Sequence, residues 1–116
     1  MNQQQLNEII VKHRKWLKDE TGGQKANLRG ANLRKADLRG ADLRGALFDQ
    51  LIIFNAGKHQ AVFNKQDQML CIGCEYHPLN HWFENYVEIG SKHNYTEKET
   101  EECGVIIKVL RQIMSL

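Results

Sequence analysis

Residues 26–45 read ANLRG ANLRK ADLRG ADLRG, one five-letter word repeated four times with small changes. A five-residue period fits neither regular secondary structure. A helix repeats its faces every ~3.6 residues and a strand every ~2. As a helix, the stretch would spread Leu28, Leu33, Leu38 and Leu43 around the whole circumference. As a strand, it would send them to alternate faces. A chain that turns a corner after each block satisfies the period. Every Leu then points to a common axis, with Ala26, Ala31, Ala36 and Ala41 also inward. The Asn or Asp, the Arg, and the Gly or Lys of each block are left facing solvent, as in a solenoid.

The blocks Ala26–Gly30, Ala31–Lys35, Ala36–Gly40 and Ala41–Gly45, with a degenerate fifth at Ala46–Gln50, resemble the pentapeptide-repeat family. The resemblance implies a right-handed quadrilateral β-helix. The competing reading, a disordered low-complexity tract, conflicts with the unbroken Ala and Leu phase. Four blocks make one turn, so residues about 20 apart stack at roughly 4.8 Å. The segment 26–50 therefore amounts to about one coil, with Phe48 over Leu28. Burying four Leu and one Phe contributes about 1.5–3 kcal/mol each. Ordering roughly 25 residues costs about 1–2 kcal/mol of backbone entropy apiece. Such a coil needs an apolar cover at both ends.

The rest of the chain supplies candidates for that cover. Residues 2–20 read as an amphipathic helix with Leu6, Ile9, Ile10, His13, Trp16 and Leu17 on one face, ended by Gly22-Gly23. Residues 51–74 read as strands: Leu51 to Phe54, His59 to Asn64, and Met69 to Cys74, with Gln66-Asp67 turning a hairpin. Ala56 and Ala61 keep the five-residue phase, but Lys58 at a would-be core position favours the hairpin. Pro78 can open a second helix burying Leu79, Trp82, Phe83, Tyr86 and Ile89, with Gly90 ending it. Thr96-Glu97-Lys98-Glu99 is a capping box for a third, over 97–115, with Cys103, Ile106, Ile107, Leu110, Ile113 and Met114 on its apolar face. The expected fold is α+β in a single domain over 1–116: a short β-helix flanked by an N-terminal helix and a C-terminal β-hairpin plus two helices (78–116).

Net charge is only +2, but it is unevenly placed. Residues 25–50 hold six basic and three acidic side chains, a balance of +3. Residues 51–116 hold six and eight, a balance of −2. Arg29, Arg34, Lys35, Arg39 and Arg44 form a basic belt, and its ligand would be anionic: a nucleotide, a nucleic-acid strand or an acidic protein face. The plain alternative is a solvated exterior. Within the family, long acidic coils are known as DNA mimics that inhibit topoisomerases. A short, basic coil makes that role a minor alternative. No apolar run is long enough to span a membrane, and no cleavable secretion signal is visible. Three cysteines suggest reduced thiols in a cytoplasm.

Cys71, Cys74, His77 and His81 lie within eleven residues and invite a zinc reading. Their spacing departs from common zinc fingers, and residues 71 and 74 of a strand face opposite sides. A Cys74 nucleophile activated by His77 lacks any evident third member or substrate cleft. The plainer expectation makes all three cysteines small buried hydrophobes, with His77 capping the helix at Pro78. No phosphate loop, catalytic carboxylate pair or triad order is present, so no enzyme, catalytic residue or cofactor is expected.

Ile72-Gly73-Cys74 with His77-Pro78 resembles the tail after short repeats in small phage and prophage proteins. The N-terminal Gln5-Leu6-Asn7-Glu8-Ile9 and His13-Arg14-Lys15-Trp16-Leu17 are similar to theirs as well. The resemblance implies a phage-type accessory binding protein acting in the host cytoplasm, antagonising a host factor or defence system. A one-coil solenoid also leaves strand-like edges, and the Leu51–Phe54 run is strongly apolar. A homodimer, or the helix at 97–115 folding back, would cover that surface.

Overall fold

The computed structural model describes residues 1–56 and 59–115; Lys58 lies outside them. The elements are α1 (Gln3–Leu17), the repeat segment, strands β1 (Leu51–Ala56), β2 (His59–Asn64), β3 (Met69–Ile72) and β4 (Glu75–Pro78), then α2 (Leu79–Lys92) and α3 (Glu97–Met114). The strands form one antiparallel sheet in the order β1-β2-β3-β4. The expected hairpin is thus a four-stranded sheet. The unforeseen strand is β4, which pairs Ile72 with Glu75 across a two-residue turn, Gly73-Cys74. Gly73 has φ 58°, and glycine first in a two-residue loop is what a type II′ hairpin turn requires.

Helix limits follow local capping chemistry. Asn2 and Gln5 make a reciprocal capping box at the start of α1, and Thr96 and Glu99 make the expected one at α3. α1 stops at Leu17, well before Gly22. α2 runs through Gly90, which is buried against Thr100 and Tyr95 instead of ending the helix. Pro78 is its N-cap, with no side-chain cap; the Leu79 N–H is taken by the Gln68 carbonyl at 2.9 Å. His77 therefore does not cap α2.

In the repeat segment every block turns a corner. The N–H groups of Ala31, Ala36, Ala41 and Ala46 donate to the carbonyls of Leu28, Leu33, Leu38 and Leu43 at 3.0–3.2 Å. The residue before each of these alanines has positive φ: Gly30, Lys35, Gly40 and Gly45, at 63–77°. That combination is the type II turn, which needs φ > 0 at its third residue. The Asn or Asp of each block accepts the N–H of the Arg two residues on, at 3.1–3.3 Å, bracing the corner. After twenty residues the chain returns alongside itself. Asn27 and Leu47 form a parallel bridge, with Leu28 N–H to Leu47 O at 2.7 Å and Leu47 N–H to Ala26 O at 2.9 Å.

Two apolar clusters lie on opposite faces of the sheet. The first gathers Leu28, Leu33, Leu38 and Leu43 with Leu6 and Ile10 of α1 and with Leu51 and Val62 of β1 and β2. The second gathers Phe63, Leu70 and Ile72 with Trp82 and Ile89 of α2 and Ile107 and Leu110 of α3. Strand alternation explains the division, since Val62 and Phe63 are adjacent and point opposite ways. The Leu51–Phe54 run divides in the same way. Leu51 and Ile53 join the first cluster, while Ile52 and Phe54 join the second. Both its faces are covered within the chain. Ile113, expected on the buried face of α3, is 41% exposed.

Many backbone groups of the repeat segment have no neighbouring strand, and side chains satisfy them. Gln3 of α1 accepts the Asp37 N–H at 2.8 Å and donates to the Asp37 carbonyl at 3.0 Å. Gln66 accepts the Leu33 N–H at 2.6 Å and donates to the Ala31 carbonyl at 3.3 Å. Asn64 donates to Leu33 O, Tyr76 to Ala36 O and Gln50 to Ala31 O; Asp67 accepts the Lys35 N–H. Fully buried His13 accepts the Ala26 N–H at its Nδ1, 3.0 Å away. Its Nε2 must then carry the proton donated to Arg44 O at 2.8 Å.

Candidate functional site

The basic belt divides along the sequence. In the third and fourth blocks an Asp stands two residues before the Arg, and the corner geometry brings the two side chains together. Arg39 Nε and Nη2 lie 3.0 and 2.8 Å from the Asp37 carboxylate. Arg44 Nε and Nη2 lie 2.9 and 2.7 Å from that of Asp42. These hydrogen bonds hold the Asp37 and Asp42 carboxyls below the usual carboxylate range. Arg39 also lies over the Tyr76 ring, 5.9 Å from its centroid.

In the first two blocks the equivalent residues are Asn27 and Asn32. A neutral amide supports the corner as well as a carboxylate but leaves the guanidinium charge uncompensated. Arg29, Arg34 and Lys35 are exposed and carry no ion pair among the described residues. Two carboxylates lie close by, but they serve the backbone: Asp49 accepts the Gly30 N–H at 3.3 Å and Asp67 the Lys35 N–H at 2.8 Å. The belt expected from five basic residues is therefore three cations without a direct ion pair, with the Asp49 and Asp67 carboxylates nearby, beside two neutralised pairs. The difference was written in the sequence as Asn against Asp, and only the corner geometry gives it meaning.

The Cys/His cluster is only partly brought together. Cys71 is buried on the sheet face towards the repeat segment, opposite Tyr76, and burial pushes its thiol up to about 11. Cys74 is exposed in the Gly73-Cys74 turn, and no hydrogen bond joins it to His77. Cys103 is buried in α3 with its thiol also pushed up by burial. The expectation of three buried cysteines thus holds for two. At Cys71 and Cys103 a raised thiol pKa is the opposite of what a nucleophile needs.

The rings of His77 and His81 are in contact, with centroids 4.5 Å apart. His77, but not His81, also reaches Glu75. Its carboxylate takes His77 Nε2 at 3.0 Å, His93 Nε2 at 3.2 Å and Lys92 Nζ at 3.5 Å. Burial raises the Glu75 carboxyl, but the hydrogen bonds from His93 and His77 outweigh it and leave the group below its ordinary value. Glu75 and His93 were not anticipated, although the two-residue spacing of Glu75 and His77 on a strand carried a signal. No group of three or more His, Cys, Asp or Glu side chains among the described residues has the arrangement to hold a metal ion. No helix among them is long and apolar enough to cross a membrane.

A family model described as pentapeptide repeats (8 copies) matches residues 24–50, the corner-turning segment with its Asn and Asp braces. Compared over its length, the chain matches no curated protein and no solved structure.

Proposed function

We propose, with pentapeptide repeats at residues 24–50 as the premise, that residues 26–47 make one turn of a right-handed quadrilateral β-helix. On that turn the chain acts as a non-enzymatic interaction protein, docking an anionic partner on the face of Arg29, Arg34 and Lys35. The observation that carries this reading is Asn in place of Asp in the first two blocks, which leaves those cations without a direct ion pair at their own corners. Arg39 and Arg44 stay engaged with Asp37 and Asp42 and contribute little attraction. An accessory role of the phage type, against a host factor, is the setting that the sequence resemblance favours.

The test uses two probes, a short duplex DNA and polyglutamate, titrated against the protein at rising salt. Three neutralised phosphates imply about a fortyfold loss of DNA affinity between 50 and 200 mM salt. Asn27→Asp with Asn32→Asp recreates the compensated corners without removing any Arg, and should abolish binding with the fold intact. Asp37→Asn with Asp42→Asn should strengthen it. Binding to neither probe, or binding indifferent to both pairs of changes, would sink the reading.

A further inference from the structure

The sheet has two outer edges, and only one of them is guarded. β4 is four residues long and ends on Pro78, which has no N–H to offer a further strand. β1 is six residues long and pairs residue by residue with β2, without a bulge. Residues 50–56, Gln-Leu-Ile-Ile-Phe-Asn-Ala, hold no charge and no proline. Charge, proline, bulges and shortness are the devices by which natural sheets close an edge to further strands. β1 has none of them.

The direction of its free backbone groups follows from the ladder. The Lys65 N–H donates to the Gln50 carbonyl at 2.9 Å, which continues the β1–β2 pairing by one hydrogen-bonded pair. Such pairs recur at every second residue of an antiparallel ladder. Ile52, Phe54 and Ala56 therefore turn their N–H and C=O groups towards β2, and Leu51, Ile53 and Asn55 turn theirs to the outer edge. Among the described residues no hydrogen bond reaches those outward groups. The side chains here are also incompletely covered: Ile52, Ile53 and Phe54 are half-buried and Asn55 is exposed.

We propose that the outer edge of β1 pairs antiparallel with the β1 of a second copy, about a two-fold axis between the two Ile53 residues, joining the four-stranded sheets edge to edge. The occupant is a second copy because the edge fits itself, as an isologous interface must. In this register Ile53 of each copy faces its equivalent and Leu51 faces Asn55. All three outward residues of each chain are then used, each facing pair exchanging two backbone hydrogen bonds. Side chains match on both faces of the joined sheet. Ile53 meets Ile53 on one, and Ile52 meets Phe54 twice on the other, an aromatic and β-branched pair of the kind that stabilises sheets. With no charge in residues 50–56, the two-fold brings no like charges together along the paired strands. The contact does not involve the face of Arg29, Arg34 and Lys35.

Sedimentation velocity of the full chain, over roughly 1 to 500 μM, should show a monomer–dimer equilibrium. Across the same range, amide exchange at Ile53 and Asn55 should slow as dimer forms, because their N–H groups become bonded only there. Asn55→Pro removes one outward N–H while leaving every β1–β2 bond in place, and should weaken association more than about tenfold with an unchanged far-UV spectrum. Ile53→Lys, which sets two cations together at the axis, should do the same. If either variant folds poorly, the exchange rates of the unaltered chain decide. A monomer at every concentration overturns the proposal, whether or not a strand of some other protein pairs with the edge. So does a dimer insensitive to Asn55→Pro, or one in which Ile53 and Asn55 exchange as fast as in the monomer.

Discussion

Lys35 has φ 63°, where the three equivalent corners hold Gly30, Gly40 and Gly45. An L-residue with a Cβ in this region costs roughly 1–2 kcal/mol, so the second corner is strained where the others are not. The hydrogen bond from its N–H to Asp67 helps hold it in place. Lys35→Gly should therefore raise stability by about 1 kcal/mol in urea unfolding. Gly40→Ala should lower it by a similar amount, through backbone strain alone, because no atom lies within 4 Å of the added carbon. Equal stabilities would show that the corners do not demand a left-handed residue. A pH effect at residue scale belongs to Glu75. Its folded pKa is depressed, so its contribution is present above its ordinary value of 4.5 and is lost as pH falls through the lower folded value. Glu75→Gln should flatten the stability profile below about pH 5. An unchanged slope there would assign the acid sensitivity to other carboxylates.

At the scale of elements, side-chain amides take the place of strand neighbours that the repeat segment lacks. Gln3 contacts both backbone groups of Asp37 as a neighbouring strand would, and Gln66 does the same for Leu33 N–H and Ala31 C=O. Leaving such groups without a partner costs about 1–3 kcal/mol where they are shielded from water. Gln66→Ala should cost more than Gln3→Ala, because Leu33 is buried whereas the Gln3 contact lies at an exposed edge. Amide exchange should accelerate at Leu33 in the first variant and at Asp37 in the second, and uniform exchange would remove the surrogate-rung account. These contacts also mark the limit of what the chain discloses unaided. The Ala and Leu phase, the Thr96 capping box and the β-branched run at 51–54 each carry a local physical signal, and each element lies where that signal puts it. Gln3, Gln66 and Asn64 carry none, since a polar residue beside a repeat reads as surface until its partner 31 to 35 residues away is known. β4 was hidden for a related reason. Its residues Glu75, Tyr76 and His77 look like a loop, and only pairing with Met69–Ile72 makes them a strand. The basic face was legible as five cations, but their division into paired and unpaired required the corner geometry.

At the scale of the molecule, one sheet serves two cores, and β2 ties them together through adjacent residues. Val62 closes the cluster under the repeat segment, while Phe63, fully buried, lies at the heart of the helix cluster. So short a repeat segment cannot offset its own ordering entropy, so its stability is borrowed through this strand and through α1. The two tryptophans report on the two sides separately. Trp16 stacks on His13 beside the repeat segment, with centroids 5.3 Å apart, whereas Trp82 is buried in the helix cluster and donates to Leu70 O at 2.8 Å. Single-tryptophan variants, Trp16→Phe and Trp82→Phe, should each unfold in one transition at the midpoint given by circular dichroism for that same variant. Leu33→Ala in the repeat segment should cost about 2–5 kcal/mol and Phe63→Ala in the helix cluster about 3–5 kcal/mol. Each should move the transition seen by both tryptophans, because neither core persists once the shared sheet is lost. If Leu33→Ala shifted only the Trp16 signal and left the Trp82 midpoint in place, the repeat segment and α1 would be a separate folding unit resting on an independently stable sheet-and-helix body.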